Sequence, residues 1–394
     1  MSGRPLDGIT VVSLEQAVAA PYATRQLADF GARVIKVERP GTGDFARDYD
    51  DTVHGQSSYF VWLNRSKESL TLDLKSEAGR AVLDELLTDA DVFVQNLGPG
   101  ATARMGLGAD ALADRLPRLV VCDVSGFGAT GPWADRKAYD LLVQAESGLM
   151  SVTGTEAEMV KAGISVADIA AGMHAFSGIL ASLLQRERTG RAAPVEVSLF
   201  EALAEWMGAP AYYTEYGGRA PSRTGGRHAT IAPYGPFATA SGDQLVVAVQ
   251  NDREWTRFCA DVLGKPELAA DERFARNPAR VAHRDELDDL VAERLASLDT
   301  DTAAHLLDSV GIANARVRTM PEFLDHPVLA GRERWQDLDT AGGAVRALLP
   351  PASIRGVSPR MDPVPGLGEH SAAILRALGR TDIEIDRLRA DRII

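Results

Sequence analysis

The chain of 394 residues is 45% hydrophobic and 25% charged, the mixture of a soluble globular protein rather than a disordered one. Its formal net charge of −13 argues against a general nucleic-acid binder, which needs a basic surface, while leaving room for a local cationic pocket. Its length allows more than one domain.

In chain order, the β-branched run Ile9–Leu14 predicts a strand, Tyr22–Phe30 a helix and Arg33–Val37 a second buried strand. This strand–helix–strand opening is the start of an α/β domain. Ala78–Leu87 reads as a helix, and Val92–Val94, Leu119–Val124 and Pro194–Leu199 as further strands. Asp168–Arg186 is the strongest helix, with Ile169, Met173, Phe176, Ile179, Leu180 and Leu183 as its expected core stripe and Gly190 at its end. The glycines and proline of Gly217–His228 mark a hinge or ligand loop. Beyond it, Gln244–Val249 reads as a strand and Trp255–Leu263, His283–Leu298 and Thr302–Ser309 as helices of a second domain. Ala330–Leu349 carries no clear pattern, Pro350–Gly368 is rich in proline and glycine, and Ser371–Leu378 is a short helix.

Cys122 and Cys259 stand far apart, so neither a disulfide framework nor a zinc motif is expected, and the seven histidines form no metal constellation. No targeting segment or apolar run of membrane-spanning length is read, and the expected location is the cytoplasm.

The turns Gly41–Thr42–Gly43–Asp44 and Gly98–Pro99–Gly100 follow strand ends and permit close backbone approach to a phosphate, without matching the dinucleotide or Walker fingerprints. Arg39, Lys75, Arg104 and Lys137 stand near strand ends and loops, either as solvated surface charges or as a phosphate pocket. Asp168, just before its apolar helix, reads as an N-cap that can also act as a carboxylate nucleophile. Asp140 reads as another cap, His174 as a core histidine, and His228 as a loop residue with a possible substrate role.

The ordered set of short motifs resembles the CaiB/BaiF (family III) CoA-transferases, including formyl-CoA transferase and its relatives. It runs through Pro5–Leu6–Asp7–Gly8, Ala20–Pro21, Gly31–Glu38, Gly41–Asp44, Asn64–Lys67 and Leu72–Lys75. It continues with Asn96–Gly100, Ser125–Gly128, Lys137–Asp140, Ala167–Asp168, Thr189–Arg191 and Gly368–His370. The resemblance implies an α/β fold, with a Rossmann-like large domain built from both chain ends and a smaller α/β middle domain. Two such chains would interlock as a homodimer. The corresponding boundaries are 1–205 for the first part of the large domain, 206–228 for a linker, 229–325 for the small domain and 326–394 for a second linker and return.

By the same resemblance Asp168 would become acylated, with Gln16 and Ala17 near the thioester and Asp140 where relatives commonly carry glutamate. Arg39, Leu72, Lys75, Asn96, Leu97, Arg104 and Lys137 would hold CoA, which is a substrate and not a tightly bound cofactor. The stretch Arg223–His228 followed by Pro233–Tyr234 looks like that of transferases for short dicarboxylates, so Arg227 and His228 would contact a distal carboxylate. Tyr139 replaces the histidine that α-methylacyl-CoA racemases carry before the first acidic residue, and a phenol is poorly matched to proton transfer near neutral pH. The leading expectation is CoA transfer from an acyl-CoA to a free carboxylic acid, without metal, membrane or nucleic acid. The alternatives are a racemase or epimerase, and a non-catalytic CoA-binding scaffold.

Overall fold

Six strands assemble because the chain alternates short apolar runs with helices long enough to cross back over a sheet. The computed structural model describes residues 3–394. The strands are β1 (Thr10–Leu14), β2 (Arg33–Glu38), β3 (Lys67–Thr71), β4 (Val92–Gln95), β5 (Val120–Ser125) and β6 (Val195–Ser198). They lie in the order β3-β2-β1-β4-β5-β6, each neighbour parallel. A parallel sheet is covered on both faces, which is why Val11, Val12, Ile35, Phe93 and Val121 are all buried.

Helix α1 (Ala19–Asp29) starts three residues earlier than Tyr22, because Pro21 sits in its first turn, where no intrahelical N–H is needed. Helix α2 (Glu77–Thr88) is capped by the Ser76 hydroxyl, which accepts from Gly79 N at 3.0 Å. Helix α3 (Asp140–Glu146) is short, and α4 (Val166–Thr189) is the long helix that the sequence predicts.

Its buried face keeps Ile179 and Leu183 of the expected stripe and is otherwise made mostly of small residues. Ala167, Ala170, Ala171, Gly172, Ala175, Ile179, Ser182 and Leu183 are covered, whereas Met173 is 47% exposed. The cause is the close approach of α1: a Cβ at Gly172 would come within 2.6 Å of the Ala19 carbonyl oxygen, so small residues must face the neighbour. By length and apolar content α4 could cross a membrane, contrary to the sequence expectation. It packs instead on α1, β5 and β6 as a core helix.

The chain divides into two units: Met1–Ser147, Ala162–Met207 and Val328–Ile394 form one, Gly148–Lys161 and Gly208–Pro327 the other. Residues 148–161 therefore group apart from the first-domain boundary read from the sequence, and the 206–228 stretch contains a helix, Gly208–Gly217. The second unit has an antiparallel sheet β7-β8-β9 (Tyr234–Ala238, Gln244–Ala248, Ala313–Arg316). Helices α5 (Arg284–Ala296) and α6 (Thr300–Ser309) lend Leu287, Val291, Leu295, Ala303 and Leu307 to its core around Trp255 and Phe258.

In the first unit the patternless stretch after residue 330 is a hairpin, β10 (Trp335–Thr340) and β11 (Gly343–Leu348), whose Leu338 packs with Phe60 and Val364. Helices α7 (Ser371–Ala377) and α8 (Asp382–Ala390) bury Ile374, Leu375 and Ile385 in the main core. Both cysteines are buried and free.

Candidate active site

The strand order reverses between β1 and β4, and in open parallel sheets the crevice beyond the carboxyl ends of such strands receives ligands. Gln16 follows β1 and Asn96 follows β4. The two are clasped across this point: Gln16 N donates to Asn96 Oδ1 and Asn96 Nδ2 donates to Gln16 O, each at 2.8 Å. Asn96 thus shapes the backbone of the crevice.

A cavity of about 970 Å³ opens from there along the sheet edge. Gln16 lines it at β1, Arg39 at β2, Leu72 and Lys75 at β3, and Leu97 and Arg104 beyond β4. Six of the predicted CoA and site residues therefore meet in one place. Leu72 is buried beneath the others. Lys137 is exposed in the loop before α3 and is not among the lining residues.

Beneath Gln16 lies a group of charges that sequence reasoning missed. Lys36 Nζ is 2.7 Å from Asp44 Oδ2 and 3.5 Å from Glu15 Oε1, and Lys67 Nζ is 2.7 Å from that same Glu15 oxygen. All four side chains are fully buried. Asp44 Oδ1 accepts from Ala46 N at 2.9 Å and from Ala17 N at 3.1 Å, holding Ala17 in a left-handed conformation at φ 63°. Such a backbone state costs a non-glycine residue energy and persists only where the surroundings impose it.

Burial pushes Lys67 down to about 8 against the pull of Glu15. For Glu38, burial acts upward, but the Arg47 hydrogen bonds and the Lys36 charge hold it at about 2. The signal for this network was present: Lys36 and Glu38 interrupt an apolar strand, and a charge in a buried strand needs a partner. Gly43, at φ 66°, belongs to the same turn. A Cβ there would come within 2.8 Å of Glu38 Oε1 and 2.9 Å of Leu367.

Asp168 is the third residue of α4 and not its N-cap, which is Ser165. The capping is done from another helix. Asp140 Oδ1 accepts from Ala167 N at 2.8 Å and more weakly from Asp168 N at 3.4 Å, while Gln144 Nε2 donates to Asp140 Oδ2 at 2.7 Å. Asp140 was expected to cap its own helix; it is instead the first residue of α3, satisfying orphan amides of α4. Its two oxygens are thereby occupied, whereas among the described residues no hydrogen bond reaches the oxygens of Asp168. Burial, and secondarily the Asp140 charge, push Asp168 up to about 7.

Asp168 stands one helical turn before Gly172 on the same face, about 6 Å along the axis from the point where α4 touches Ala19. Tyr49 lies within the electrostatic reach of both Asp44 and Asp168. Its phenol is pushed up to about 12, by burial first and then by those carboxylates. A carboxyl with a raised affinity for protons is chemically suited to nucleophilic attack once ionised.

Arg227 and His228 lie in the second unit. Arg227 Nε is 3.0 Å from Asp288 Oδ2. The His228 ring stacks on Tyr234 at 5.2 Å, and its Nδ1 accepts from Thr230 N at 3.2 Å. His174 is half-buried on α4.

The model of CoA-transferase family III matches residues 6–371. The chain is 38% identical to acetyl-CoA:oxalate CoA-transferase of Acetobacter aceti over 379 residues, 94% of this chain and 95% of that protein. It is 34% identical to succinate–glutarate CoA-transferase of Agrobacterium fabrum, over 95% of this chain and 96% of that one. A CAIB/BAIF family protein from Brucella suis, known by crystal structure, superposes with a TM-score of 0.83 at 33% identity, covering 96% of this chain and 100% of that one.

Proposed function

The chain belongs to CoA-transferase family III, and from that premise we propose that it moves CoA from an acyl-CoA to a short dicarboxylate through covalent intermediates on Asp168. The observation that carries this reading is the Asp168 carboxyl itself: its neighbour Asp140 is consumed in capping, while among the described residues no hydrogen bond reaches its own oxygens. The order β3-β2-β1-β4-β5-β6 supports a Rossmann-like large domain with CoA at the switch point.

In the first step ionised Asp168 attacks the donor thioester, forming a mixed anhydride and releasing CoA thiolate. The thiolate then attacks the aspartyl carbonyl, expels the donor acid as its carboxylate, and leaves an aspartyl-CoA thioester. The acceptor carboxylate attacks that carbonyl and again frees the thiolate. Attack by the thiolate on the acceptor's acyl carbon completes the new acyl-CoA and restores Asp168. Each bond broken is matched by one of similar energy, so no ATP is consumed. The Gln16 and Ala17 N–H groups are already donated to Asn96 and Asp44, so their part is to shape the turn, and Arg39, Lys75 and Arg104 are the proposed phosphate contacts.

A dicarboxylate acceptor is supported by the names of the relatives, which act on oxalate and glutarate. The exposed apolar side chains of the first unit, Leu184 at 57% and Ile164 at 61% among them, support an interlocked homodimer. Assay of acetyl-CoA and succinyl-CoA against oxalate, succinate, glutarate and monocarboxylate controls tests the reading. Transfer to a dicarboxylate, lost in Asp168→Ala, is expected. α-Proton exchange with solvent in place of transfer would contradict it and favour racemisation.

A further inference from the structure

Two arginines that no sequence motif singled out, Arg389 and Arg392, line the same cavity as Arg39, Lys75 and Arg104. They stand at the end of α8, where the ordinary explanation is a cation favoured by the helix's negative C-terminal pole. That explanation suffices for Arg389, which lies 3.0 Å from Asp386 within its own helix. It does not account for Arg392.

Arg392 occupies the position just past the C-cap Asp391, at φ 57°. Its N–H donates to Arg389 O at 3.0 Å and the N–H of Ile393 donates to Leu388 O at 2.8 Å. This is the pair of bonds that closes a helix through a left-handed residue, a place taken most often by glycine. An arginine here carries a backbone strain that glycine would not. The segment is also fixed to the cavity rim: Asp73 N donates to Ile393 O at 2.7 Å, and Ile394 packs against the core that contains Leu72. Among the described residues no carboxylate pairs with Arg392. The left-handed turn therefore leaves the Arg392 guanidinium without a carboxylate partner in the cavity lining that also holds Lys75.

That edge lies two strands from Gln16, about 10 Å across the sheet. The charge of CoA furthest from its thiol is the phosphate on the ribose 3′ position. Resting on the reading that the cavity receives CoA, we infer that Arg392, together with Lys75 of the same lining, is a specificity-determining contact for this 3′-phosphate. Arginine suits the task because its planar fork pairs with two phosphate oxygens at once.

The test is calorimetric titration of the full chain with CoA and with 3′-dephospho-CoA. The native protein is expected to prefer CoA. Arg392→Gly, which relieves the left-handed strain, is expected to melt no lower than the native protein, to bind CoA about tenfold more weakly, and to bind 3′-dephospho-CoA with unchanged affinity. Arg392→Lys is expected to recover most of the loss. Equal CoA binding by Arg392→Gly, or equal loss for both ligands, overturns the assignment while leaving the CoA-site reading intact. A native protein that binds neither ligand overturns that underlying reading.

Discussion

Asp168 is under two opposing demands. Attack requires the carboxylate, yet burial and the Asp140 charge lift its pKa from 3.8 to about 7. Because the folded value lies above the unfolded one, the native state binds this proton more tightly. Its contribution to stability is then full below about pH 4 and is lost progressively as pH rises to about 7. Asp168→Asn is therefore expected to melt above the native protein at about pH 8, with the gap closing towards about pH 4. Thermal melts across this range check the sign. In the native enzyme kcat/KM for transfer is expected to rise through about pH 7 as the nucleophile ionises. Locally, the sequence pointed to Asp168 as a cap because an aspartate before an apolar stripe usually is one. Only the order of the surrounding motifs indicated chemistry, and only the fold shows that Asp140, from another helix, takes over the capping. Arg392 was illegible for a related reason, since arginines near a helix end read as solvated charge.

At the scale of elements, the site depends on two close fits. The first is α4 against α1, where Gly172→Ala places a methyl group within 2.6 Å of a backbone oxygen. We expect a loss of about 1–3 kcal/mol, measured by urea denaturation. The second is the buried set Lys36, Glu15, Lys67 and Asp44 beneath Ala17. Lys36→Met leaves Asp44 buried with its two backbone hydrogen bonds but without its cation, and a loss of about 3–5 kcal/mol is expected on the same measurement. The alternation of strands and helices in the first part of the chain was readable from periodicity. Strand β3 was not, because KESLT has the composition of a surface segment, and it is buried only because Glu15 and Glu38 partner its Lys67 and Ser69. The large apolar residues of α4 were likewise read as its core face, which holds for Ile179 and Leu183, while contact with α1 at helix-crossing distance selects alanine and glycine.

For the whole molecule, the terminal segment Val328–Ile394 groups with the first unit. Its helices α7 and α8 fill the core beside β3, and its last residues reach the cavity. Periodicity alone gave no sign of this return; the family resemblance implied it. Large apolar side chains remain exposed on the first unit, Leu141, Leu142 and Leu184 among them. Sedimentation at micromolar concentration is expected to give the mass of two chains, and Leu184→Glu to shift the population towards one. A native protein that sediments as a single chain would remove the homodimer from the account.

The exchange through Asp168 has a specific atomic consequence. When the acceptor carboxylate attacks the aspartyl thioester and its acyl group then leaves, one acceptor oxygen stays behind on the aspartate. Turnover with an acceptor labelled with heavy oxygen, followed by peptide mass spectrometry, reads this directly. The account predicts a peptide containing Asp168 heavier by one and then two labelled oxygens. Efficient transfer with the label confined to acyl-CoA and the free acids would contradict a covalent role for this residue.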